Sequence, residues 1–297
     1  MMWKLDALSR NQPWMIRMKR PRCIRGMTTS HGDIVVEDNE RDAPVLVLIH
    51  GNSSCREVFA RQTESELGGN YRLITFDLPG HGKSSDAAQP ERTYTRPGLA
   101  DAIVEMLAKL KISEAALLGW SLGGHIAIEM LGRFDGMTGL ILTGTPPVRR
   151  GGMADGFARP PHAGLAARRD LSATDIDLFA RAMFGEPVEP FLREAMRRSD
   201  GRCRERLFEA ARAGAGVDQR AAVEGSPVPI AVINGGTDPL IKLDYISGVG
   251  YGNLWEGKCH VLEGVGHAPF WHAADEFNAI VGRFLEACSR AGRAGRN

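Results

Sequence analysis

Five consecutive aliphatic residues, Val45-Leu46-Val47-Leu48-Ile49, end abruptly at His50-Gly51-Asn52. No polar residue alternates with them, so the run cannot be a strand with one wet face. It has to lie inside a sheet covered on both sides, the situation of a central parallel strand. Tyr71 to Phe76, Ala115 to Leu118, Thr138 to Leu142, Ile230 to Ile233 and His260 to Leu262 are further short strand candidates. Between them lie helical patterns: Leu99, Ile103, Met106, Leu107 and Leu110 recur at helical spacing and give one apolar stripe. Strands alternating with helices predict an α/β fold, a mostly parallel central sheet with helices on both faces.

The alternation breaks between Gly144 and Gly225. After Thr145-Pro146-Pro147 comes a Gly-, Arg- and Pro-rich run, then short helices over Ala173 to Phe184, Pro190 to Arg198 and Arg202 to Ala213. An all-helical insertion between two strands predicts a cap over the carboxyl edge of the sheet, where open α/β sheets bind ligands. The expected organisation is a core of residues 28–143 and 226–290 with a helical cap of 144–225. The preceding residues 1–27 carry Arg10, Arg17, Lys19, Arg20, Arg22 and Arg25 against a single acid, Asp6. They read as a disordered extension, or as sequence upstream of a start at Met27, in preference to a targeting or nucleic-acid segment.

A length of 297 residues allows a large core. The net charge of +1 supplies no global field for nucleic acid or an anionic membrane. No apolar run reaches the roughly 18–20 residues of a membrane span. Five scattered cysteines without a C-x-x-C pair read as reduced thiols of a cytoplasmic protein, not as a disulfide frame or a zinc site. No cofactor and no metal is expected. Oligomeric state is not written in these features.

Gly119-Trp120-Ser121-Leu122-Gly123 fits G-x-S-x-G, a tight strand-to-helix turn that lifts a serine hydroxyl clear of the backbone. The motif alone is weak. Its context, a strand before and a helical pattern after, makes Ser121 the expected nucleophile. A hydroxyl needs a base and the base needs an acid, here in the order Ser, Asp, His. Asp238 follows the strand ending at Ile233, and His267 follows the one ending at Leu262. The acid would hold the imidazole tautomer and stabilise the imidazolium. Asp244 is the competing acid and His272 the competing base; both read as helix residues, and His260 reads as part of a strand. His50-Gly51-Asn52-Ser53-Ser54 follows the first apolar run, nominating the backbone N–H groups of Asn52 and Leu122 as the oxyanion hole. Within Asp77-Leu78-Pro79-Gly80-His81-Gly82-Lys83-Ser84, Asp77 and His81 are expected to brace loops around the serine turn, as is His50.

These segments, with Gly266-His267, resemble the α/β-hydrolase superfamily from about residue 30 to 288. More narrowly the chain is similar to the metal-independent N-acyl-homoserine lactonases of that fold. His50-Gly51-Asn52-Ser53-Ser54, Gly119 to His125, Thr143-Gly144-Thr145-Pro146-Pro147-Val148, Asn253-Leu254-Trp255-Glu256-Gly257-Lys258 and Gly266-His267-Ala268-Pro269-Phe270 carry the likeness. The resemblance implies a small-molecule ester or lactone substrate, contacted by Ser54, Trp120, Phe179 and Phe184. Phe157, Leu178, Phe179, Met183 and Phe184 are the expected acyl tunnel, or else the packing of the cap itself. Two departures stand out: those lactonases carry Glu where Asp238 stands, and a cap tyrosine where Phe179 aligns. A carboxylesterase or a carbon–carbon bond hydrolase keeps the same triad. A ligand receptor with slow turnover is the alternative of another class.

Overall fold

The computed structural model describes residues 22–160 and 162–294. Eight strands form one sheet in the order β1-β2-β4-β3-β5-β6-β7-β8. They are β1 Cys23–Thr29, β2 Gly32–Asp38, β3 Val45–Ile49, β4 Arg72–Phe76, β5 Ala115–Trp120, β6 Met137–Thr143, β7 Ile230–Gly235 and β8 His260–Leu262. From β4 to β8 every neighbouring pair is parallel, while β1 and β2 are antiparallel additions at one edge.

Alternation along each strand splits the core in two. Val47, Ile49 and Leu117 join Leu99, Ile103, Met106 and Ile126 on one face. Leu46, Leu48 and Leu118 join Trp120, Phe277 and Phe284 on the other. Leu46, Val47, Leu48 and Ile49 are fully buried, as a two-sided strand requires. Burial of each such side chain contributes about 1.5–3 kcal/mol.

The sequence places the end of the N-terminal extension at residue 27, and here the structure corrects it. Cys23–Thr29 is a strand hydrogen-bonded along β2. Every second residue of β1 faces solvent, so its apolar signal is weak. Arginines beside and within it, read as part of the charged extension, are paired: Arg22 with Glu37 at 2.9 Å, Arg25 with Asp38 at 3.2 Å and with Glu40 at 2.9 Å. The remainder of the expected extension, residues 1–21, lies outside the described residues.

Between β6 and β7 the described residues form helices and no strand, including Ala173–Phe184, Pro190–Arg198 and Gly201–Arg212. The last of the series, Gln219–Glu224, packs on the helix Leu122–Glu129 and sends Val223 into the first core cluster.

Candidate active site

β5 runs fully buried to Trp120, and the helix Leu122–Glu129 starts after one intervening residue. Ser121 between them has φ 53° and ψ −116°. An L residue held there stores about 1–3 kcal/mol of strain. Close packing enforces it: a Cβ on Gly123 would stand 2.0 Å from the Ile49 carbonyl oxygen. The Ser121 N–H donates to Thr143 O at 2.9 Å, and Thr145 Oγ1 donates to Ser121 O at 2.9 Å. Through Thr145, the Thr-Gly-Thr-Pro-Pro segment bolts the serine turn to the loop after β6.

Asp238 and His267 come from the loops after β7 and β8 and meet. His267 Nδ1 lies 2.7 Å from Asp238 Oδ2, with both side chains 1% exposed. Nδ1 therefore donates to the carboxylate, and Nε2 is buried without a hydrogen-bond partner. Gly144 lies under the ring with φ +61°, and a Cβ there would stand 2.7 Å from His267 Cε1. The base rests on a position that only glycine fills without strain. Trp120 Nε1 donates to the His267 carbonyl at 2.9 Å, tying the nucleophile strand to the base loop.

Ser121, His267, Asn52 and Leu122 all line one cavity of about 220 Å³. The cap supplies much of the remaining wall, including Met153, Phe157, Phe179, Met183, Leu207 and Phe208. Other expected contacts are not there. Trp120 points to the opposite sheet face, as alternation along β5 demands, and packs on Phe184 and Phe270. Phe184 is buried behind it, and Ser54, past the φ 56° turn at Ser53, is buried outside the cavity wall. Leu178 is 47% exposed. Phe179 and Met183, four residues apart, share the helix face toward the cavity; Leu178 and Phe184 are off that face. The competitors also fall away: Asp244 and His272 are exposed, and His260 lies in β8 with its ring stacked on Trp255.

Two neutral histidines brace the loops. His50 Nδ1 donates to Gly51 O at 2.8 Å while Nε2 accepts from Leu78 N at 3.0 Å. His81 Nδ1 donates to Pro79 O at 3.1 Å and Nε2 accepts from Ser53 N at 3.2 Å. Burial lowers both pKa values, that of His81 to about 3. The Asp77 carboxylate accepts from Arg56 and from the Lys83 N–H, closing the same loop pair.

A polar side of the cavity was hidden in the sequence. His125 lines it, with Nδ1 donating to Gln219 Oε1 at 2.6 Å while Gln219 Nε2 donates to His125 O at 2.9 Å. Burial, reinforced by the Arg96 charge, pulls the His125 pKa down to about 4. Arg96 also lines the cavity and pairs with buried Glu129 at 3.7 Å. Position i+4 after a nucleophile was the available signal for His125, because that spacing returns to the same helix face. Among the described residues no three His, Cys, Asp or Glu gather into a group able to hold a metal ion. None of their helices is long and apolar enough to cross a membrane.

Residues 46–280 match the family model described as the alpha/beta hydrolase family. The fold superposes on the N-acyl homoserine lactonase AidH complexed with N-butanoyl homoserine, at TM-score 0.88 and 46% identity over 90% of this chain and 97% of that one. A mutant of the same lactonase complexed with N-hexanoyl homoserine lactone gives TM-score 0.89, again at 46% identity, over 90% and 99% of the two chains. A pimeloyl-[acyl-carrier protein] methyl ester esterase of Stenotrophomonas maltophilia is 30% identical, over 84% of this chain and 95% of its own. A 2-hydroxy-6-oxononadienedioate/2-hydroxy-6-oxononatrienedioate hydrolase of a Pseudomonas species is 27% identical, over 86% and 92%.

Proposed function

Because the chain belongs to the alpha/beta hydrolase family, we propose that it opens the lactone ring of N-acyl-homoserine lactones through a serine acyl-enzyme. The observation that carries this reading is the 46% identity to a lactonase, sustained over nine-tenths of the chain. Ser121 and His267 lining one cavity, with Asp238 bonded to His267 behind it, support it. Ester hydrolysis as a class is common to the lactonase and the methyl ester esterase.

In the proposed reaction Ser121 Oγ attacks the lactone carbonyl as His267 Nε2 takes its proton. Asp238 holds the imidazole by Nδ1 and stabilises the imidazolium. The Asn52 and Leu122 amides receive the oxyanion, each worth about 3 kcal/mol in the transition state. As the tetrahedral intermediate collapses, the ring C–O bond breaks and His267 returns the proton to the departing alkoxide. That alcohol stays tethered to the acyl group. Water, deprotonated by His267, then attacks the ester to Ser121, and the N-acyl-homoserine leaves with the serine restored. The apolar cap wall suits the acyl chain.

Mass spectrometry on purified protein with a series of N-acyl-homoserine lactones tests this directly. A product heavier by one water, formed faster than in buffer, is expected. Brisk p-nitrophenyl ester hydrolysis with no ring opening would move the protein to the carboxylesterase reading, which its methyl ester esterase relative favours. Tight lactone binding with no turnover would make it a receptor.

A further inference from the structure

Buried hydrogen bonds run in series from the cap to Asn52. Arg204, on the helix Gly201–Arg212, is 4% exposed. Its Nη1 donates to Ser53 Oγ at 3.1 Å, and Ser53 Oγ donates to Asn52 Oδ1 at 3.1 Å. Asn52 Nδ2 in turn donates to Ala166 O at 2.8 Å, back in the cap. The other corners of the guanidinium are fixed: Nε donates to Arg168 O and Nη2 to Arg169 O, both at 2.8 Å. All of these acceptors are neutral oxygens. A buried cation held only by carbonyls and a hydroxyl is a costly way to fill space, and burial accordingly lowers the Arg204 pKa.

Ser53, the residue this cation grips, has φ 56° and so needs support from its surroundings. Its N–H is held by His81, whose loop is itself tied to the cap. Asp200 N donates to Gly80 O at 2.8 Å, and Arg198 Nη2 donates to Ser84 O at 2.9 Å. Both sides of the Ser53 turn are therefore fixed from the same stretch of cap, residues 198–204.

We infer that Arg204 is a positioning residue: through Ser53 it holds the Asn52 amide in register with the Leu122 amide, so the oxyanion hole is complete only when the cap is seated. The inference rests on the proposed hydrolase reaction with Asn52 as a donor. It deepens that reading by assigning part of transition-state stabilisation to a residue that touches no substrate.

The test uses Arg204→Met, Ser53→Ala and their combination in the full chain, with active sites counted by fluorophosphonate titration. On p-nitrophenyl butanoate and N-hexanoyl-homoserine lactone, kcat per titrated site should fall about 10- to 100-fold, the scale of an ångström's misplacement. KM should stay within about threefold, because the oxyanion forms only in the transition state. The combined variant should be no worse than the poorer single one, since both cut one series. A trifluoromethyl ketone, which forms an oxyanion at the serine, should lose affinity in step with kcat. Lower thermal stability with kcat per site intact would reduce Arg204 to packing and overturn the inference. Fully additive losses would overturn the series. Should Arg204→Met fail to fold, Ser53→Ala decides alone: an unchanged kcat defeats the clamp. A parent protein neither labelled nor active on any ester removes the hydrolase reading and the clamp with it. A labelled, active parent with unaffected variants removes the clamp only.

Discussion

On the sheet side of the cavity, Ser121 and His267 sit on loops tied to neighbouring strand ends through Thr143, Thr145 and Trp120, while neutral, buried His50 and His81 brace the adjoining loops around Ser53 and Leu78. On the cap side, the helix bearing Phe179 and Met183 is held from outside by half-exposed ion pairs, Arg193 with Asp177 at 2.8 Å and Arg181 with Asp177 at 2.7 Å. Solvent screens such pairs, so they add little stability and weaken further in salt. The sheet side is fixed by polar groups committed to one another, whereas this cap helix is fixed on its inner face by apolar packing, Ile176, Ala180, Met183 and Phe184 being buried. In the proposed reaction, proton transfer belongs to the first and substrate choice to the second.

The sharpest way to break this contrast is at the nucleophile. Ser121→Ala should remove about 10⁴-fold or more of turnover with folding intact, and fluorophosphonate should label the parent at Ser121 only. Asp238→Asn should cost about 10⁴-fold through the wrong His267 tautomer, with exposed Asp244→Asn nearly silent. The reverse ranking in kcat would place the acid elsewhere. Asp238→Glu should retain substantial activity if the loop takes one more methylene.

Gly144→Ala tests whether rigidity under the base matters. The new Cβ must displace the His267 ring, and kcat should drop about 10²-fold with circular dichroism unchanged. An active Gly144→Ala enzyme would show that the base has slack.

Acid should loosen the sheet side. The unfolded chain protonates histidine near 6.5, whereas folded His81 and His125 do so only near about 3 and about 4. The stability they contribute is complete above pH 6.5 and is lost as pH falls toward those lower values. By pH 5 each accounts for about 2 kcal/mol. Urea unfolding at pH 7.5 and 5 should show that loss, and His125→Gln should reduce it by about half. An equal slope in the variant would mean that His125 titrates normally.

The smallest expected effect lies in the cap. Phe179→Tyr should add a hydroxyl beside the substrate, worth about 0.5–1.5 kcal/mol. That is up to about tenfold in kcat/KM on N-acyl-homoserine lactones, with little gain on p-nitrophenyl esters. Equal gains on both would assign the position to packing alone.

What could be read beforehand divides along the same line. β3, the serine turn and the Asp238 and His267 loops announce themselves through short-range chemistry: apolar runs, glycines where a Cβ cannot fit, and chain order. The directions of Trp120, Ser54 and Phe184 depended on strand parity, on a left-handed turn and on helix phase, which no motif states. β1 escaped because half of it faces water and its charges find partners only in three dimensions. Arg204 carries no signal of its own in the sequence, since a buried cation and a solvated one have the same letter.

The helix Gln219–Glu224 packs under the sheet with the serine helix, although it lies between β6 and β7 in sequence. It returns the chain to the start of β7, so the cap residues that line the cavity run only from Met153 to Ala211. Such an insertion suits exchange by recombination: under the proposed reaction, a chimaera would change the pocket while keeping one set of reacting groups. The exchange would carry a condition. A donor cassette would have to bring its own counterpart of Arg204, or the recipient would have to re-evolve Ser53 around its absence. In a library of chimaeras, the productive members should be those in which these two positions were inherited together.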